Sequence, residues 1–317
     1  MRYGVIGAGG VGGYYAAALA RGGHIVHLLA RGPHLDAIRR QGGLAVRTPT
    51  EQFTVDVHAS DDPASLADTD NIIVAVKSYS LPDIASTLNA AAARGETIVP
   101  LLNGVDTADR LIALGVPRES IVAGTTYISA ARTAPGLIER TSPFVRIVVG
   151  ELDPALHDNP RTWQVASDFR DGGVDATVSD TIAVELWRKF FFIAPMAATC
   201  GLARRAVGGV REAPLGRLLI ERATREVVAL AIAKGIPVRP DEVDRVLKSI
   251  DATAPTTKPS FLLDLERGGP TELDLLSGTV SRLARAAGVE TPVHDTAVAA
   301  LSPTGAPASV PTAAGPA

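Results

Sequence analysis

The amino-acid sequence predicts an α/β domain built on a mostly parallel sheet over residues 1–179, followed by an all-α domain over residues 180–302. Three observations carry this. A glycine turn follows the first apolar strand in "VIGAGGVGG". Short apolar runs then alternate with helical stretches through the first half of the chain. From about residue 180 the alternation gives way to long helical patterns.

The strands expected in order are Tyr3–Ile6, Ile25–Leu29, Asn71–Val76, Thr97–Leu102, Ile121–Thr125 and Arg146–Val149. Helices are expected between several of them, at Val11–Arg21, Pro82–Ala93 and Asp106–Ala113. The second half reads as helices over Asp180–Cys200, Pro214–Lys234, Pro240–Asp251, Ser260–Arg267, Thr271–Ala287 and Pro292–Leu301. In Pro214–Lys234 the pairs Glu221/Arg225 and Arg222/Glu226 stand four apart, a spacing that supports a helix. Leu219, Ala223, Val227, Leu230 and Ala231 mark its apolar face. The last stretch, 303–317, is uncharged and rich in Pro, Ala and Gly, so a disordered tail is expected there.

Composition narrows the function classes. Of 317 residues 46% are hydrophobic, enough for two cores, and the net charge of −3 is spread without a basic stripe, which argues against nucleic acid. A single cysteine, Cys200, excludes an intrachain disulfide and fits a reducing cytoplasm. The N-terminus runs directly into a strand, unlike a signal peptide. The apolar run from Phe190 to Ala203 is too short to span a bilayer and contains Pro195, so no membrane partner is expected. No metal is expected either.

The turn Gly7-x-Gly9-x-x-Gly12 points to a dinucleotide because each glycine has a separate task. Gly7 makes the tight turn, Gly9 lets backbone approach a pyrophosphate, and Gly12 allows close helix–strand packing. This makes the first domain Rossmann-type. The strand "IVHLLAR" ends in Arg31, with no acid until Asp36. A guanidinium there suits the 2′-phosphate of NADP(H); the other reading is a solvated surface arginine. "ELWRKFFFIAPMAATCGL" places Lys189 at the mouth of an apolar run. Either it snorkels, laying its methylenes along the helix, or it carries chemistry.

"GAGGVGG", "VKSYSL", "LLNGVD", "ELWRKF", "KPSFLLDLERGGPTELD" and "GVETPVH" together resemble the ketopantoate reductases (2-dehydropantoate 2-reductases), over residues 1 to about 302. That resemblance implies NADPH-dependent reduction of a 2-oxo acid to a 2-hydroxy acid. It implies Lys189 as the general acid that protonates the carbonyl oxygen, with a pKa lowered by partial burial. Asn103 would orient substrate and lysine beside the nicotinamide, so touching the cofactor too, and Lys77 would face the cofactor and help hold it. Glu272 would contact the hydroxyl side of the substrate, and Ser260 its carboxylate. Local readings stand beside these roles: Asn103 as a turn residue before Gly104, and Ser260 as an N-cap. "TELD" reads as a capping box led by Thr271, with Glu272 favoured by the helix dipole.

One helical turn and two turns after Lys189 stand Ile193 and Ala197, where the family usually carries asparagines; Thr257 stands where another is common. The resemblance therefore leaves open ketopantoate itself, a more apolar 2-oxo acid or another carbonyl compound. Two further classes stay open: a 3-hydroxyacid or polyol-phosphate dehydrogenase, and a dinucleotide-binding protein without catalysis. A homodimer is compatible with all of them.

Overall fold

The structure, a computed structural model, describes residues 1–302; the tail expected at 303–317 lies outside the described residues. The chain's contacts divide it between Phe190 and Phe191 into two units.

In the first unit the elements run β1 (Arg2–Ile6), α1 (Gly10–Arg21), β2 (Ile25–Leu29), α2 (Gly32–Arg40), β3 (Leu44–Arg47), β4 (Gln52–Val55), β5 (His58–Ser60) and β6 (Asn71–Val74). They continue as α3 (Leu81–Ala93), β7 (Thr97–Pro100), α4 (Thr107–Ala113), β8 (Ala123–Tyr127), β9 (Ala130–Ala134), β10 (Leu137–Arg140), β11 (Arg146–Gly150), α5 (Pro160–Asp171) and β12 (Asp175–Val178). The main sheet is parallel throughout, in the order β5-β2-β1-β6-β7. Strands β6 and β7, "NIIV" and "TIVP", are buried at every position because both faces of the sheet are covered. A bond from the Val122 N–H to the Ile98 carbonyl (3.0 Å) continues this sheet toward a three-stranded one, β12-β11-β8.

A second sheet, β4-β3-β10-β9, was not foreseen; it is antiparallel except for the β10–β3 pair. Its strands are four or five residues long and β9, "AARTA", is largely exposed, so neither length nor hydrophobicity marks it. This sheet packs on α1. A Cβ placed on Gly13 would stand 2.7 Å from Ile138, so that approach requires glycine. The core around α1 contains Tyr15, Leu19, Leu44, Val46, Ile138 and Phe169. Helices α2 and α5 were also missed, although Leu35 and Ile38, and Val165, Ala166 and Phe169, stand at helical spacing among charged and polar neighbours.

The helix α6 (Ile182–Ala203) begins in the first unit and ends in the second. Its start packs Ile182 and Leu186 against Ala123 and Val148. In its last turns a Cβ on Gly201 would meet the Phe261 ring at 2.7 Å. One helix thus serves two cores, and the expected boundary at 179/180 falls just ahead of it.

The second unit is helical: α7 (Val207–Arg211), α8 (Gly216–Ala233), α9 (Glu242–Asp251), α10 (Ser260–Glu266), α11 (Thr279–Ala287) and α12 (Pro292–Leu301). Arg225 bonds Glu221 as the spacing predicts (2.9 Å). The expected Arg222/Glu226 pair is not made. Glu226 turns inward and accepts the N–H groups of Val293 (2.8 Å) and His294 (3.1 Å) at the start of α12. A carboxylate on the positive end of a helix explains this choice. His294 is wholly buried between the Ser277 hydroxyl and the Ala223 carbonyl.

Candidate cofactor and catalytic site

The candidates of the first unit converge on one edge of the parallel sheet. Gly7 follows β1, Arg31 follows β2, Lys77 follows β6 and Asn103 follows β7, so all four leave the carboxyl ends of strands. Between β1 and β6 the chain direction away from the sheet reverses, and open α/β sheets bind ligands at that point.

Gly7 has φ +110°, and a Cβ on it would lie 2.6 Å from the Ala75 carbonyl. A Cβ on Gly12 would stand 2.1 Å from the Gly7 carbonyl oxygen. Both positions therefore require glycine for packing. At Gly9, the N-cap of α1, a Cβ would meet nothing within 4 Å. Here the space above the backbone is open, as a pyrophosphate cradle requires. The first bond of α1 runs from the Gly13 N–H to the Gly9 carbonyl (2.8 Å), so the N–H groups of Gly10, Val11 and Gly12 have no intrahelical acceptor. No side chain caps this end and no acid sits in its first turn. The residues fit a dinucleotide diphosphate.

Arg31 is the N-cap of α2 and is exposed, and its guanidinium makes no ion pair or hydrogen bond among the described residues. His34, one turn on, is not a surface residue. Its Nδ1 accepts the Gly136 N–H (2.8 Å), tying α2 to the turn between β9 and β10, and burial, then the Arg132 charge, lowers its pKa. Lys77 caps a short 3₁₀ turn, Ser78–Ser80, and is half-buried.

Asn103 is half-buried, and its amide makes no hydrogen bond among the described residues. Its neighbour Gly104 has φ +115°, a turn conformation. Leu102 and Gly104 line a cleft of about 470 Å³, open solvent included, together with Arg118, Gly124 and Leu186. Leu186 lies one turn before Lys189 on α6. The Asn103 loop and the Lys189 helix thus border the same cleft.

Lys189 is half-buried, and its Nζ stands 6.0 Å from the centre of the Tyr127 ring, at the end of β8. Tyr127 was not foreseen. Burial, then the charge of Glu185, raises its pKa, so it is a neutral aromatic wall beside the ammonium. The start of α6 packs on β8 and β11 and so brings ring and ammonium together, and no sequence spacing signals it.

In the second unit Ile193 is half-buried and Ala197 buried on α6. Ser260 is the first residue of α10, with Pro259 as the N-cap, and it is exposed. Glu272 is buried. The expected capping box is not formed: the helix after "TELD" opens with a wide π turn over Asp274–Gly278, whose N-cap is Leu273. The Gly278 N–H reaches back five residues to the Leu273 carbonyl (2.9 Å). Such turns often occur at functional sites.

Comparison with known proteins decides the family. The ketopantoate reductase PanE/ApbA family matches residues 3–154, and its C-terminal counterpart matches 181–304. This chain belongs to the ketopantoate reductase family. A 2-dehydropantoate 2-reductase of Halobacterium salinarum is 31% identical over 92% of this chain and 95% of its own length. A ketopantoate reductase structure from Ralstonia eutropha covers 95% of this chain and 97% of its own, with a TM-score of 0.85 and 28% identity. The D-mandelate dehydrogenase solved with NADH and anilino(oxo)acetate shares the fold at 21% identity, with a TM-score of 0.83.

Proposed function

We propose that this chain is an NADPH-dependent reductase that converts a 2-oxo acid to a 2-hydroxy acid. The observation that carries the reading is the shared edge: an uncapped glycine turn, an unpaired arginine and a cleft bordered by the Asn103 loop and the Lys189 helix. When bound, NADPH supplies hydride for the carbonyl carbon. The chain's own part is to bind, orient and protonate. The N–H groups at the start of α1 hold the diphosphate, and Arg31 holds the 2′-phosphate by charge-assisted hydrogen bonds. Lys189 keeps a proton at Nζ and delivers it to the carbonyl oxygen, because an alkoxide left unprotonated in a water-poor cleft is costly. Its Nζ stands at the edge of cation–π reach of the Tyr127 ring, 6.0 Å from the ring centre. Asn103 orients the carbonyl with an amide that has no protein partner among the described residues. On the family resemblance, Ser260 binds the substrate carboxylate and Glu272 the hydroxyl side. Ile193 and Ala197 replace two amides by apolar groups, each worth about 0.5–3 kcal/mol when bonded to substrate. This favours an acid with a less polar side chain than ketopantoate.

The test is Lys189→Ala, followed by NADPH absorbance with a panel of 2-oxo acids that includes ketopantoate. The expected result is a kcat lower by about 10²–10⁴, with NADPH affinity nearly unchanged. A kcat within about threefold of wild type would remove the general-acid assignment.

A further inference from the structure

At the opposite edge of the main sheet three donors converge that the reductase reading does not use. Nε2 of His24, in the turn between α1 and β2, lies 3.8 Å from Oδ1 of Asp168 and 3.9 Å from Oδ2 of Asp171, both on α5. The His24 side chain is only 10% exposed, and its Nε2 is buried without a hydrogen bond. Asp168 is 1% exposed. No lysine or arginine pairs with Asp168 or Asp171 among the described residues.

We propose that His24, Asp168 and Asp171 form a structural site for a divalent transition-metal cation of the zinc class. A direct ion pair would draw nitrogen and oxygen to about 2.7–2.9 Å. The observed separations are too long for a hydrogen bond. They are close to the spacing of ligands around one ion: donors at about 2.0–2.2 Å in a tetrahedral shell stand about 3.4 Å apart. All three ligand atoms lie within 4.8 Å of one another, so closing the shell needs movements of up to about 0.7 Å from each donor. As ligands, an imidazole and two carboxylates supply two negative charges, which a divalent cation neutralises. The mixed nitrogen and oxygen set suits zinc, cobalt or manganese better than magnesium or calcium.

The surroundings are built to hold this geometry. The Tyr3 hydroxyl donates to Asp168 Oδ2 (2.6 Å) and the Gln164 amide to Oδ1 (2.6 Å), which orients the carboxylate. The Tyr3 ring packs edge-on against the imidazole, with centroids 5.7 Å apart. Gly22 lets the end of α1 approach α5 closely, since a Cβ there would stand 2.9 Å from the Gly172 nitrogen. A cation at this point staples the α1–β2 turn to α5.

The full chain, stripped with a chelator and dialysed, is titrated with ZnCl₂, and with CoCl₂ as a spectroscopic probe. The expected result is saturable binding of one equivalent and a rise in Tm. Asp171→Asn, at a side chain 57% exposed, should fold normally and weaken binding by about tenfold or more, as should His24→Gln. His58→Gln controls for the neighbouring imidazole pair, His27 and His58, whose ring centres are 5.1 Å apart. Absence of saturable binding, unchanged affinity in Asp171→Asn and His24→Gln, or loss of binding only in His58→Gln would each overturn the proposal.

Discussion

Gly9→Ala separates the cradle reading from a merely structural glycine turn. The added methyl meets no atom within 4 Å, and Gly9 has φ −81°, a value open to any residue. Stability should therefore hold or rise by about 0.4–1 kcal/mol through the stiffer unfolded chain. Gly12→Ala is the contrast. Its methyl would stand 2.1 Å from the Gly7 oxygen and 2.9 Å from the Ala75 Cβ, a clash that backbone must relieve. Overpacking of this kind costs about 1–3 kcal/mol. At about 2–4 °C per kcal/mol for a domain of this size, Tm should fall by roughly 2–12 °C. Cofactor binding should respond differently. The Gly9 methyl projects where the diphosphate comes closest, and losing one charge-assisted bond of about 1.5–3 kcal/mol weakens NADPH by roughly 10- to 150-fold. The assay is NADPH fluorescence titration beside a thermal melt on the same samples. If Gly9→Ala bound NADPH within about twofold of wild type, the diphosphate would not approach Gly9 and the cradle argument would fail.

Three further outcomes are expected. Arg31→Ala should erase most of an NADPH-over-NADH preference of about ten- to a hundredfold while sparing NADH, read from Kd for both cofactors; equal loss for both would make Arg31 structural. Burial lowers the pKa of His294 to about 4, below its unfolded value near 6.5, so the unfolded chain binds the extra proton first as pH falls. Stability is then complete above about pH 6.5 and declines by up to about 3 kcal/mol toward pH 4; denaturant melts of His294→Gln should show a flatter profile across that window, and an unchanged slope would contradict the assignment. Burial pushes the Cys200 thiol up to about 11, so a thiol reagent should label it only after denaturation, and rapid labelling of the native chain would refute its burial.

The fold class, the glycine turn and most helices of the second unit were legible in the sequence because their signals are local. Consecutive residues supply the strand, the turn and the helix start around Gly7, Gly9 and Gly12. Arg31, Lys77 and Asn103 stand directly after strands, so a parallel sheet gathers them on one edge once those strands are recognised. What tertiary structure decided depends on pairs far apart in the chain. Tyr127 reaches Lys189 because α6 packs on the face of β8 and β11, and Glu226 leaves its predicted partner Arg222 because the start of α12 offers two N–H groups. The mixed sheet on α1 assembles strands too short to announce themselves. His24 stands in the turn after α1 and the Asp168–Asp171 pair on α5, more than 140 residues on, so no spacing motif could have joined them. Local chemistry writes the elements, and long-range packing chooses which of their polar groups meet.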